Sequence, residues 1–110
     1  MKIITTRELK YYVTESGETP FIAWLESLKD AQVRYRVKER LSRVELGNLG
    51  DHKAVGDGVS ELRLQFGSGH RIYYGEEGYK VILLLSGGDK SSQKKDIKQA
   101  IAYWNDYQVR

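Results

Sequence analysis

A chain of 110 residues has room for one hydrophobic core and reads as one domain spanning 1–110. Hydrophobic residues at 40% and charged ones at 30% place it among ordinary globular proteins, and the complete lack of cysteine excludes disulfides, thiolate nucleophiles and cysteine zinc sites. The net charge of +3 is mild and spread over both halves, so a surface for a polyanion has to be assembled by folding.

The N-terminal stretch MKIITTRELK lacks the apolar run of a signal peptide, and no segment approaches the roughly 18 apolar residues of a membrane span. The expected location is the cytoplasm, with no membrane contact. Leu9 to Val13 is aromatic and β-branched and ends near Gly17, which predicts a strand. Thr19-Pro20 supplies a cap and a first-turn proline for a short helix carrying Phe21, Ile22, Trp24, Leu25 and Leu28. Asp30 caps a second helix, whose positions Val33, Val37, Leu41 and Val44 recur at helical spacing until Gly47. Arg34, Arg36, Lys38, Arg40 and Arg43 lie between them. They read as a solvated helix face, or as a patch that steers a polyanion or meets an acidic partner.

The glycine-rich GNLGDHKAVGDG is loop with a short strand around His52 to Val55. In VSELRLQF, Leu62, Leu64 and Phe66 alternate with Glu61, Arg63 and Gln65, the pattern of a half-buried strand. Gly67-Ser68-Gly69 reads as a three-residue turn into HRIYY, and YKVILLL is apolar enough for a strand covered on both faces. After Ser86-Gly87-Gly88-Asp89-Lys90 a last helix carries Ile97, Ala100, Ile101 and Trp104 on one stripe. The fold class is α+β: an N-terminal strand and helical hairpin on a small antiparallel sheet, closed by a C-terminal helix.

The hairpin carries the chemistry. A three-residue turn pairs Gln65 with Arg71 and Arg63 with Tyr73, so Arg63 and Arg71 lie diagonally on one outer face, about 7–8 Å apart at the backbone. Two guanidinium groups beside the Tyr73 ring can hold a phosphate and stack a base, or form a surface cluster that Glu61 neutralises. The SGGDK turn offers backbone amides and Lys90 to an anion, or is a plain tight turn. His52 is a general acid or base, or an exposed loop histidine with no role. His70 shares the face of Ile72 and reads as a partly buried structural residue. Neither a paired-histidine or carboxylate metal motif nor a serine nucleophile motif occurs.

At GVSELRLQFGSGHRIYY and ILLLSGGDKSSQKKDI the chain resembles the RelE/ParE superfamily of toxin–antitoxin modules, above all its HigB-like, phage Gp49-like, addiction-module killer branch. The resemblance runs over nearly the whole chain and rests on the "ELR", "G-x-G-x-R-x-Y" and "LLL-x-GGDK-x-x-Q" patterns in this order. It implies a RelE-like fold and a toxin neutralised by a cognate antitoxin, of helix-turn-helix type. RelE-like members cut mRNA in the ribosome, whereas ParE-like members inhibit DNA gyrase without catalysis. The RNA-cleaving reading makes Arg63, Arg71 and Lys90 catalytic, with His52, Lys53 and Tyr73 contacting RNA. It needs neither metal nor cofactor, and its partners are the ribosome, mRNA and antitoxin. The alternatives are a gyrase inhibitor or a degenerate module that binds only antitoxin or nucleic acid. The chain departs from the branch pattern at Ser68 and His70, where proline and tyrosine are expected; neither change removes a cation.

Overall fold

Every predicted element forms in the computed structural model, which describes residues 6–110; residues 1–5, part of the stretch read for a leader, lie outside the described residues. The order is β1 (Glu8–Tyr11), α1 (Pro20–Ser27), α2 (Ala31–Glu45), β2 (His52–Gly56), β3 (Val59–Arg63), β4 (Arg71–Glu77) and β5 (Val81–Gly88). A 3-10 turn at Lys90–Ser92 then leads into α3 (Gln93–Val109). Pro20 stands at the start of α1, and the Asp30 carboxylate caps α2 by accepting the Gln32 N–H at 2.8 Å. Among the described residues no helix is long and apolar enough to cross a membrane.

The five strands form one sheet in the order β1-β5-β4-β3-β2. The expectation of an antiparallel sheet holds for β2 to β5 and fails for β1, which pairs with β5 in parallel, Glu8 opposite Val81. The helical hairpin carries the chain from β1 to the far edge, and three antiparallel turns return it to β5 running in the direction of β1. The sheet is therefore mixed.

Both faces of the sheet are covered. On one, α1 and α2 bury Phe21, Leu25, Val37, Leu41 and Val44 against Leu62, Ile72, Ile82 and Leu84. On the other, α3 lays Ala100 and Trp104 over Val59, Tyr73, Leu83 and Leu85. Successive residues Ile82 to Leu85 thus point alternately into two cores and are each at most 1% exposed. Each contributes about 1.5–3 kcal/mol by burial, which is why that strand is apolar without alternation. Two tryptophans fix the layer spacing by resting on glycines. A Cβ on Gly87 would collide with the Trp24 ring, and one on Gly75 with the Trp104 ring. No larger residue fits beneath either.

The polar face of β3 is not open as its alternation suggests. Because α3 lies over it, Glu61 is 1% exposed and Tyr73, opposite it, is 0% exposed. Only the end of the ladder nearest the β3–β4 loop stays accessible, and Arg63 and Arg71 occupy that end.

Candidate functional site

Register decides how the two arginines meet. The β3–β4 ladder pairs Leu62 with Ile72 and Arg63 with Arg71, two residues off the pairing that a three-residue turn would give. The Leu64 N–H reaches the His70 carbonyl at 3.0 Å, so the loop is five residues, Gln65 to Gly69. Phe66 leaves the strand to pack beside His70, 5.9 Å between ring centroids, and beneath the Arg36 guanidinium at 5.2 Å. A shift of two residues preserves the faces, so both arginines stay on the α3 side. They stand directly opposite rather than diagonal.

Like charges opposite each other across a ladder repel. Here a carboxylate two residues along relieves them. Glu61 Oε2 lies 2.8 Å from Arg71 Nε, and Glu61 Oε1 lies 3.7 Å from an Arg63 Nη. The Arg71 contact is a close ion pair whose N–H is not aimed at the oxygen, so charge rather than a directed hydrogen bond dominates it. Gln93, on the first turn of α3, donates to the same carboxylate at 3.3 Å. Arg71 also donates from Nη1 to the Gly69 carbonyl at 2.8 Å, which anchors the guanidinium to the loop. One carboxylate under two guanidinium groups leaves a surplus positive charge at the open end of the sheet.

The remaining candidates divide. Lys90 is drawn near the pair: a Cβ on Gly69 would lie 3.3 Å from the Lys90 Cβ and 3.6 Å from Arg71 Nη1, so the Lys90 stem and the Arg71 guanidinium flank one spot. Lys53 is opposite Glu61 on the outer strand β2 and is exposed, on the arginine side of the sheet. His52 pairs with Leu62 and so belongs to the opposite face, where its Nδ1 lies 2.8 Å from the Gly50 carbonyl. The structure does not bring it to the arginines. Tyr73 is beside them in register but sealed under α3, out of reach of a stacking base. Burial, with Glu61 and Asp96 nearby, pushes its phenol up to about 12. His70 is half-buried between Trp24 and Phe66, as a structural residue would be.

The amides around the SGGDK turn have partners within the protein: Gly87 and Gly88 lie in the β4–β5 ladder, and the Lys90 N–H reaches the Ser68 carbonyl at 3.4 Å. Asp89 Oδ1 accepts the Ser91 N–H at 2.9 Å and the Ser91 hydroxyl at 2.6 Å, and these bonds hold its carboxyl below the ordinary range. Asp96 covers Gly88, where a Cβ would run into its carboxylate. The amides of Lys90 and Ser91 are therefore not free to cradle an anion, which leaves the side chain of Lys90 as that turn's cationic group. Gln93 is the residue that periodicity gave no reason to select; its signal was its fixed distance from GGDK. Among the described residues no three His, Asp or Glu side chains gather as a metal site would require.

No protein-family model matches the chain. An uncharacterized protein of Haemophilus influenzae is 45% identical to it over 80 residues, which span 73% of this chain and 81% of that protein.

Proposed function

The chain belongs to the same family as this Haemophilus influenzae protein, and, reading that family's chemistry from the site, we propose that it is a RelE/ParE-type toxin of a toxin–antitoxin module. It acts in the cytoplasm as a metal-independent endoribonuclease on ribosome-bound mRNA, and a helix-turn-helix antitoxin restrains it. The observation that carries the reading is the Arg63–Arg71 pair, opposed across β3 and β4 over a buried carboxylate, with Lys90 alongside. Opposite positions put the two Cβ atoms about 5 Å apart, so both guanidinium groups can reach the oxygens of one phosphate.

In such a site the RNA supplies its own nucleophile. The 2′-hydroxyl loses its proton to solvent water as it attacks the adjacent phosphorus, the P–O5′ bond breaks, the 5′-oxygen leaves and takes up a proton, and a 2′,3′-cyclic phosphate remains. Negative charge grows on the non-bridging oxygens as the phosphorane forms, and two fixed guanidinium groups stabilise it more than they stabilise the starting diester. Glu61 holds them in place before substrate arrives, which limits the reorganisation needed during the reaction. In this reading Lys90 gives the proton to the departing oxygen or neutralises it, and the exposed Lys53 on the outer strand meets the RNA along the sheet edge.

The test is Arg71→Ala in cells. Induction of the parent arrests growth and produces new mRNA 5′ ends within translated frames; the variant, folded by circular dichroism and still bound to antitoxin, does neither. Arrest by the variant equal to the parent's would refute the site. Supercoiling defects with intact mRNA would assign the toxin to gyrase instead.

A further inference from the structure

On the other side of β3, between α2 and the Gln65–Gly69 loop, the surface opens into a cleft of about 310 Å³. Its floor is Arg40, only 9% exposed, a residue that the sequence places on a solvated helix face. Among the described residues this guanidinium forms no ion pair; Nη2 donates to the Asp51 carbonyl at 3.0 Å. A buried cation without a paired carboxylate is costly unless something anionic meets it. Burial, reinforced by the charge of Arg43, holds the Arg40 pKa below its ordinary value, which reports that cost.

The cleft is built around this group. Gly50, at φ +63°, folds the loop against it, and a Cβ there would come within 2.8 Å of the guanidinium. Arg36 is held over the Phe66 ring at one rim, while Arg43 is half-exposed at another and only loosely paired with Glu39, at 3.7 Å. The second acid, Asp51, accepts the Gln65 amide at 2.6 Å and offsets part of the Arg40 charge without forming an ion pair with it. Arg36, Arg40 and Arg43 thus face Glu39 and Asp51, a surplus of one positive charge, and Arg63, whose side chain turns to Glu61, borders the mouth. The volume lies at the small end of ligand pockets, right for a phosphate and its ribose.

We infer that this cleft is a second phosphate site, which seats the backbone phosphate of the RNA nucleotide neighbouring the one held by Arg63 and Arg71. The inference rests on the nuclease reading, and Arg63 makes the two sites continuous because it borders both. A strand crossing the open end of β3 would leave the arginine pair and descend onto Arg40 between Arg36 and Arg43.

The experiment measures binding of a short single-stranded 2′-O-methyl RNA, which cannot be cleaved, by fluorescence anisotropy at several salt concentrations. The proteins are the parent, Arg36→Ala/Arg43→Ala, Arg36→Lys/Arg43→Lys and Arg71→Ala, each checked by thermal melting. The double alanine variant should bind about tenfold more weakly, and its log K against log salt should be shallower by roughly 0.7 for each phosphate it no longer neutralises. The double lysine variant should recover most of the affinity. If the double alanine variant binds like the parent while Arg71→Ala is weakened, the cleft inference fails and the nuclease reading stands. If both bind like the parent, both fail. If inorganic phosphate raises the parent's melting temperature, the double alanine variant shows no such rise, and RNA binding is unchanged, the cleft takes free phosphate and the inference is overturned.

Discussion

Replacing Glu61 by glutamine removes one negative charge from beneath two guanidinium groups while keeping the side chain's shape. Breaking a fully buried ion pair costs about 3–5 kcal/mol, because the surviving charge is left uncompensated. The cost here is smaller. The Arg71 side chain is 13% exposed and that of Arg63 is 34% exposed, so water recovers part of the loss, and the amide oxygen still accepts from Gln93. The arginines, now opposed with no carboxylate between them, add a repulsion of a few tenths of a kcal/mol up to about 1. A net loss of about 2–3 kcal/mol follows, which in a domain of this size lowers the melting temperature by roughly 10 °C. Anion binding should move the opposite way. The site gains one unit of positive charge, so affinity for the uncleavable RNA should rise several-fold at low salt, and the gain should fade as the screening length falls to about 10 Å near 0.1 M. Melting by circular dichroism and anisotropy titration on the same preparation give both signs. An unchanged melting temperature would refute the claim that Glu61 holds the arginines, and weaker RNA binding would refute the claim that it competes for their charge.

The enclosed tyrosine gives a second prediction: Tyr73→Phe removes a buried hydroxyl with no hydrogen-bond partner among the described residues, so stability should change by no more than about 1 kcal/mol and RNA affinity not at all. A drop in RNA binding would mean that bases reach the ring. Alkaline pH supplies a third. Tyr12 and Tyr73 are both pushed from 10.0 to about 12, chiefly by burial. A folded-state pKa above the unfolded one gives stability that is whole below pH 10 and is lost as pH climbs toward 12, at roughly 1.4 kcal/mol per pH unit for each tyrosine. Melting scans from pH 9 to 12 should fall less steeply in Tyr12→Phe/Tyr73→Phe, the remainder coming from Tyr74 and Tyr107, which are also raised; an equally steep fall would refute this assignment. Finally, Gly75→Ala drives a methyl into the Trp104 ring and should cost about 1–3 kcal/mol by chemical denaturation, whereas a neutral result would contradict the seating of α3.

The strands and helices were legible because their periodicities are local properties. Val33, Val37, Leu41 and Val44 announce a helix face, and the alternation of Leu62 and Leu64 with Glu61 and Arg63 a strand, whatever lies opposite; the same alternation carried the strand too far, to Phe66. The register was not legible. GSG offers two glycines able to adopt positive φ, which suits a tight turn, but Phe66 gains more by leaving the strand for His70 and Arg36 than by extending the ladder. The burial of Glu61 was hidden for a different reason: a carboxylate on the polar side of an alternating strand reads the same whether water or α3 covers it. The apolar run in β5 did signal two covered faces, and extending that cover to its neighbour β4 would have placed Tyr73 inside. Arg40 escaped because its burial depends on the Gly50 loop folding down on it, a contact between segments that no helical pattern encodes.

The register also changes what the arginine pair can do. Set diagonally, Arg63 and Arg71 would reach an anion separately, and Glu61 would be an optional neighbour that neutralises one of them. Directly opposed, they are close enough to share one phosphate, as the proposed function requires, and the same closeness makes them repel when no anion is there. A carboxylate beneath the pair then becomes a condition for keeping both guanidinium groups in place. That carboxylate has to be inaccessible, or solvent would weaken its hold, and α3, with Gln93, together with Tyr73 on β4 meets the requirement. On the proposed nuclease reading, neutralised cluster and phosphate clamp are two states of one device: Glu61 holds the arginines while the site is empty, and an incoming phosphate would take over the charge that Glu61 had balanced.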